Sequence, residues 1–296
     1  MDAIILLDKP AGITSAEAVR RIKRFVKPAR VGHLGTLDPF ATGLLPIMIG
    51  EATKLAPFLE GGDKEYIGTI KLGAETDTLD RDGQVVRSAA VPELTPEGMG
   101  EVAATFIGVI TQTPPIFSAI KREGVPMYKL ARKNIDIAPP PPREVEIKSL
   151  TLEVSGSDRI KFAAVCSPGT YIRSLARDIG TALGTVAYLD ELRRTRTSHF
   201  QIANALALEA VVAALEAGDA AALKMLTPRE AVAALPEVAL DAAAERRLRN
   251  GDSSVLDMMA PVASGYFKVI SESGALIAVA RATSRVTALI ERIFNS

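Results

Sequence analysis

The chain is poor in the residue types that several common chemistries need. Of its 296 residues, one is cysteine, Cys166, and two are histidine, His33 and His199. A lone cysteine excludes an internal disulfide and fits a reducing compartment. With no second Cys or paired His in local sequence, Cys166 reads as a core thiol rather than a nucleophile. Charge of either sign is not in excess: 35 Lys and Arg balance 35 Asp and Glu. Bulk charge therefore does not announce a nucleic-acid binder, and any such surface must come from local clustering. No apolar run approaches the length of a membrane span. The apolar run near Met1 is too short for a secretory signal and lacks a basic flank, so a soluble, cytoplasmic protein is expected. There is no dinucleotide fingerprint, no P-loop, no metal-ligand cluster and no internal repeat. What is plentiful is hydrophobic residues, at 48%, enough for a real core. The length allows one large domain, or a large one with a small one.

The most informative stretch runs from Val31 to Lys54, VGHLGTLDPFATGLLPIMIGEATK. Gly32 and Gly35 can bring the backbone close to a neighbour or take positive φ. Pro39 biases Asp38 towards extended geometry. Leu44 to Ile49 is an apolar run that must be buried. A carboxylate held beside such a run is oriented, which suits catalysis; it could equally do no more than start a turn, as Asp-Pro commonly does.

Upstream, Ala3 to Leu7 reads as a short buried strand ended by a turn at Asp8-Lys9-Pro10-Ala11-Gly12. Thr14 and Glu17 fit a capping box, followed by a helix with Val19, Ile22 and Val26 on one stripe. Its Arg20, Arg21, Lys23, Arg24 and Lys27 are either a solvated face or phosphate contacts. Downstream, Lys64 to Gly73 reads as a strand with a glycine exit, carrying Tyr66 either as half-buried core or as a ring to stack on a base. The acidic loop Asp77 to Gly83 is not a calcium site. In an EF-hand frame that uses Asp80 and Asp82, the first and last ligand positions fall on Thr78 and Ala89.

A helix should start at Thr95-Pro96 and run to about Phe106. The next segment, about 112–143, is basic, with Lys121, Arg122, Lys129, Arg132 and Lys133 interleaved with Phe117 and Tyr128. It reads as a surface loop with one short helix, or as a mobile RNA clamp. It closes on the stiff run Pro139 to Pro142. Val145 to Val154 and Ile160 to Cys166 alternate as a hairpin. A helical stripe follows through Ile172, Leu175, Ala176, Ile179 and Leu183, with Tyr171 and Arg173 at its mouth. An arginine there opposes the helix dipole and needs an anionic partner, either Asp38 or a phosphate. Arg193, Arg194 and Arg196 could reach phosphates, while His199 reads as structural. Ala205 to Leu235 is alanine-rich and helical with a break at Gly218-Asp219, and Pro236 marks a boundary. Beyond it come a helix from Ala242 to Arg249 and three short strand-like runs.

Several of these stretches together resemble the TruB family of tRNA pseudouridine synthases. The likeness is carried by LDKPxG around Lys9, GHLGTLDPxAxGLLPIxIGxATK around Asp38, KxY at Tyr66, TDTxDxxG at Asp80, PPxxSAxK at Pro114 to Lys121, and GTYIRSL at Tyr171 and Arg173. It is strong over 3–200 and looser in the tail. It implies an α/β fold of the α+β kind, the pseudouridine synthase fold, with a mixed, largely antiparallel sheet flanked by helices. It also implies division into a catalytic domain, 1–235, with a thumb-like RNA-binding insertion at about 112–143, and a small PUA-like β domain, 236–296. The implied reaction is isomerisation of uridine 55 in the T arm of tRNA, without a cofactor, by a monomer with no membrane and no obligatory protein partner. The family pattern makes Asp38 catalytic, oriented by Arg173, which Asp80 balances. It places His33 as a wedge near the flipped base, Tyr66 stacked on the uracil, and Tyr171 and Leu192 along the pocket. Lys9 and Thr36 fall in motifs beside the substrate. Two rivals are a guide-RNA-dependent synthase of the dyskerin type and a tRNA-folding chaperone with secondary modification activity.

Overall fold

A computed structural model describes residues 1–118, 121–122, 125–127, 138–257, 259–262, 264–284 and 287–295. The basic residues Lys129, Arg132 and Lys133, and Tyr128, of the expected clamp lie outside them.

The chain starts with β1 (Ala3–Lys9), whose seven residues are almost continuously buried. Strand period makes this possible, because successive side chains point to opposite faces. Ile5 and Leu7 enter one core cluster, with Leu45 and Ile47. Ile4 and Leu6 enter another, with Leu44 and Met48. Helix α1 (Ser15–Lys23) follows, capped by the Thr14 side chain on the Glu17 amide. Only half of the expected capping box forms: the Glu17 carboxylate instead pairs with Arg20 and Arg21 on the next turn. The Val31 to Lys54 stretch becomes the short β2 (Val31–His33), an irregular turn, β3 (Thr42–Ile49), and a 3-10 turn leading to α2 (Ala56–Leu59).

The remaining strands are β4 (Lys64–Leu72), β5 (Ala74–Thr76), β6 (Val85–Ser88), β7 (Gly108–Gln112), the two-residue β8 (Lys121–Arg122) and β9 (Val125–Pro126), β10 (Arg143–Val154), β11 (Arg159–Cys166), β12 (Ala187–Thr197), β13 (Phe200–Gln201) and β14 (Leu206–Ala207). Helices α3 (Pro96–Phe106) and α4 (Ile172–Ala182) flank them. The main sheet runs β14-β1-β3-β12-β4-β11-β10-β7, with β2 on β3 and β13 on β12. It is mixed but largely antiparallel; the parallel pairs are β1–β14 and β3–β12. The stretch Ala187 to Thr197, whose element type the sequence did not declare, is a central strand. Its alternation is hard to read in the sequence because bulges at Leu189/Glu191 and Arg194/Arg196 interrupt it and its buried face includes the polar Arg194 and Thr197.

Helix α5 (Leu208–Ala217) stops at Gly218, which is left-handed at φ 67°. The alanine-rich helix is therefore shorter than composition suggests, and only the single turn α6 (Pro228–Ala231) follows it before Pro236. The tail holds α7 (Ala242–Arg249) and the sheet β15 (Glu237–Leu240), β16 (Gly265–Ser271), β17 (Leu276–Ser284) and β18 (Thr287–Ile293), in that order. This small β unit is not a detached block. Leu276, Val279 and Phe294 share the cluster of Ile4, Leu6 and Met48. Lys54 donates to the Ile293 carbonyl at 2.8 Å, and the Asn295 amide donates to Glu51.

The two halves of the main sheet meet at one seam, β3 against β12, of only two residue pairs: Arg193 with Thr42 and Arg194 with Gly43. Gly43 is essential there. Its φ is 104°, and a Cβ would lie 2.3 Å from the Arg194 carbonyl oxygen. Gly43→Ala should cost roughly 2–4 kcal/mol, from backbone strain and overpacking together. Chemical denaturation would read this as a lower midpoint at unchanged slope. A variant as stable as the wild type would mean that the seam can open to admit a side chain.

Candidate active site

Asp38 lies in the turn between β2 and β3, and five residues hold that turn and its flanks. Ser15, the first residue of α1, holds both main-chain groups of Leu37: its Oγ accepts from the amide at 2.9 Å and donates to the carbonyl at 3.1 Å. The Gly12 amide donates to the Pro39 carbonyl at 2.8 Å. Lys9 is fully buried, and its ammonium donates to the carbonyls of Pro10, Ile13 and Pro39. Arg194, also fully buried, donates to the carbonyls of Leu34, Gly35 and Leu44. Arg173 holds the carboxylate itself.

Arg173 sits in the first turn of α4, where a cation opposes the helix dipole. Carboxylates supply the compensation. Its Nε lies 3.0 Å from Asp38 Oδ2, and one terminal nitrogen lies 3.3 Å from Asp38 Oδ1, a bidentate grip. The other terminal nitrogen is 3.4 Å from Asp80 Oδ2. The carbonyls of Thr78 and Phe117 accept at 2.9 and 2.8 Å. The Arg173 side chain is 6% exposed and that of Asp38 is 33% exposed, so the guanidinium is sealed while the carboxylate faces outward. Asp80 is buried, with its Oδ1 accepting from the Thr78 hydroxyl and the Asp82 amide. Burial pushes its carboxyl above the usual range, against the opposing pull of the Thr78 bond and the Arg173 charge.

The other sequence-predicted residues surround this pair unevenly. Tyr66 is a buried core residue of β4, in register with Arg194 of β12, and burial raises its phenol. The Asp38 carboxylate is among the charges it feels. Leu192 is buried on β12; with Phe40, Thr42, Ile67, Gly68 and Arg193 it lines a cleft of about 560 Å³. Tyr171 is the residue that caps α4, half-buried at the mouth of the site. His33, at the end of β2, is depressed by burial and by the Arg194 charge; its Nδ1 is buried without a partner among the described residues. Thr36 is exposed on the turn. Lys9 sits beneath the turn rather than on its open side, since three main-chain carbonyls use its donors. Burial lowers its ammonium to about 8, against the pull of Asp38. The arginines of β12 are not free for phosphates either. Arg193 is paired with Asp8, Arg196 with Glu65, and Arg194 is enclosed. Among the described residues no cluster of His, Cys, Asp and Glu could hold a metal ion.

Comparison with known proteins agrees with this fold. The model of the TruB family pseudouridylate synthase (N terminal domain) matches residues 23–172, and that of the tRNA pseudouridylate synthase B C-terminal domain matches 173–234. This chain belongs to the TruB family. It is 42% identical to tRNA pseudouridine synthase B of Geobacter sulfurreducens over 251 residues, covering 85% of this chain and 82% of that protein. It is 39% identical to the protein of the same name from Geotalea uraniireducens, covering 95% and 92%. Among solved structures, a chain in the crystal structure of a Cbf5-Nop10-Gar1 complex superposes with a TM-score of 0.76 at 26% identity, covering 99% of this chain and 85% of that one.

Some residues that build the site have no sequence signature. Ser15 is one hydroxyl at a helix start, and its grip on Leu37 becomes visible only when the turn folds back over α1. Gln112 and Arg143 mark the ends of the basic insertion, but nothing in their types declares that both touch Tyr171. Lys9 makes the testable difference. Its folded value of about 8 lies below the unfolded value of 10.5. Between those values the unfolded chain binds more protons, so the contribution of Lys9 to stability rises with pH through that window. The stability of the wild type relative to Lys9→Met should therefore climb from about pH 8 towards pH 10.5. A flat difference in denaturant titrations across that range would show that the ammonium is not held as described.

Proposed function

We propose that this chain isomerises uridine to pseudouridine at position 55 in the T arm of tRNA. The observation that carries the reading is the outward-facing Asp38 held at both oxygens by the sealed Arg173. The reaction breaks the bond from C1′ to N1 and makes one from C1′ to C5. The proton leaving C5 is matched by one gained at N1, so no electron or group is exchanged with a cofactor. Such chemistry needs a carboxylate of fixed direction beside the sugar, and the base must be out of its stack. In this reading Asp38 is the group that meets the target nucleoside. Arg173 orients it without competing for substrate, and Asp80 balances the charge on the far side of the guanidinium. Tyr66 presents its ring to the uracil, Tyr171 and Leu192 bound the pocket, and His33 and Thr36 meet the RNA beside it. Lys9 holds the turn on which Asp38 stands.

Residues 1–235 act here as the catalytic unit, with 112–143 as an RNA-gripping insertion and 236–296 as a PUA-like RNA-binding unit. The enzyme works in the cytoplasm as a monomer, without an obligatory protein partner. No helix among the described residues is long and apolar enough to cross a membrane.

The purified protein, incubated with an unmodified tRNA transcript, should convert the T-loop uridine. Asp38→Asn should lower the rate on the order of 10³-fold or more while tRNA is still bound. Equal product from Asp38→Asn would remove Asp38 from the chemistry. Tight tRNA binding with no product from the wild type would favour a folding chaperone. Product only on adding a guide RNA and partner proteins would favour a dyskerin-type enzyme.

A further inference from the structure

The segment that leaves the main sheet after β7 and returns at β10 begins and ends at two residues in register, Gln112 and Arg143. Both side chains turn to the same target. Gln112 is fully buried. Its Oε1 accepts from the Tyr171 amide at 2.7 Å, and its Nε2 donates to the Tyr171 carbonyl at 3.1 Å. One carboxamide thus satisfies both main-chain groups of a single residue, as a neighbouring strand would. Arg143 takes the side chain: its guanidinium carbon lies 4.6 Å from the centroid of the Tyr171 ring. The same guanidinium donates to the Gly169 carbonyl. Gly169 is left-handed at φ 87° and passes directly under that group, where a Cβ would sit 3.7 Å from Cζ. The Arg143 Nε is buried without a partner among the described residues, so the fork is aimed at Tyr171 and Gly169 rather than at its own best solvation.

We propose that Gln112 and Arg143 are positioning residues that clamp Tyr171 from its backbone and from its ring, and so set the register of the first turn of α4. The consequence reaches the reacting group in two residues. Tyr171 caps α4, and Arg173 in that first turn grips both oxygens of Asp38. Ser174 reinforces the link by donating to the Thr113 carbonyl at 2.8 Å. The clamp therefore fixes the pocket ring and the direction of the carboxylate at once, from outside the pocket. Neither a carboxamide nor a guanidinium titrates near neutral pH, so the clamp scales the rate equally at every pH.

The proposal rests on the reading of the chain as a pseudouridine synthase, and its test has an arm that does not. The chain has no tryptophan, so Tyr171→Trp introduces a sole tryptophan, selectively excitable on the red side of tyrosine absorption, at the clamped position. Adding Gln112→Ala to it should lower the tryptophan anisotropy and shift the emission to the red. In the otherwise natural chain, Gln112→Ala and Arg143→Ala should each lower kcat by about 10- to 100-fold, the size expected of a small misplacement. KM for tRNA should stay within about twofold, the signature of a transition-state effect. Arg143→Lys should not restore the rate, because an ammonium lacks the planar fork. Unchanged kcat in both alanine variants, a rise in KM alone, or unaltered anisotropy would each overturn the clamp. Absence of pseudouridine with the wild type would overturn the function instead, and the anisotropy arm would still decide the clamp.

Discussion

The site depends on one buried cation having enough acceptors. Arg173 has five N–H donors, and five oxygens meet them: two of Asp38, one of Asp80, and the carbonyls of Thr78 and Phe117. A sealed guanidinium left short of partners would be costly, and breaking a buried pair by removing one member costs about 3–5 kcal/mol. The charge arithmetic also sets the architecture. Asp80 supplies the second carboxylate, and Asp38 keeps an exposed side. Thr78 and the Asp82 amide then hold Asp80 in place, so an exposed acidic loop becomes part of the buried framework.

Arg194 shows the opposite solution. It is fully buried, and among the described residues it meets carbonyl oxygens and no carboxylate. Carbonyls take up its Nε and one terminal nitrogen while the other is buried without a partner among the described residues, and its uncancelled charge depresses His33, Lys9 and Lys64 in concert with burial. It spans the seam at which the two halves of the sheet barely pair. A neutral residue could fill that space, but it could not bind the carbonyls of Leu34, Gly35 and Leu44 from one side chain.

The legible part of the molecule was the part written in local pattern. The apolar run of β3, the β10–β11 hairpin, the Thr95-Pro96 helix start and the stripe of α4 follow from period and capping, and each lies where the residues predicted. An arginine at the start of α4 needs an anion, and the fold provides two. What stayed hidden depends on distant sequence. The β12 strand carries arginines that look like a phosphate patch, and only the partners Asp8, Glu65 and the three carbonyls show otherwise. The motif of Lys9 adjoins the turn, but its bonds to the carbonyls of Pro10, Ile13 and Pro39 appear only in the fold. Gln112 and Arg143 lie 59 and 28 residues from Tyr171 along the chain. No local pattern spans such distances.

The apolar cluster beneath β1 and β3 has a consequence for how the chain comes apart. Phe294, Leu276 and Val279 of the tail form part of the lid on Ile4, Leu6 and Met48, on the face of the sheet opposite α1. Strands buried on both faces lose half their cover if one layer leaves. Melting of the tail would wet the strand that carries Lys9 and the strand that follows Asp38, so the two strands flanking the Asp38 turn depend on the terminal sheet for half their cover.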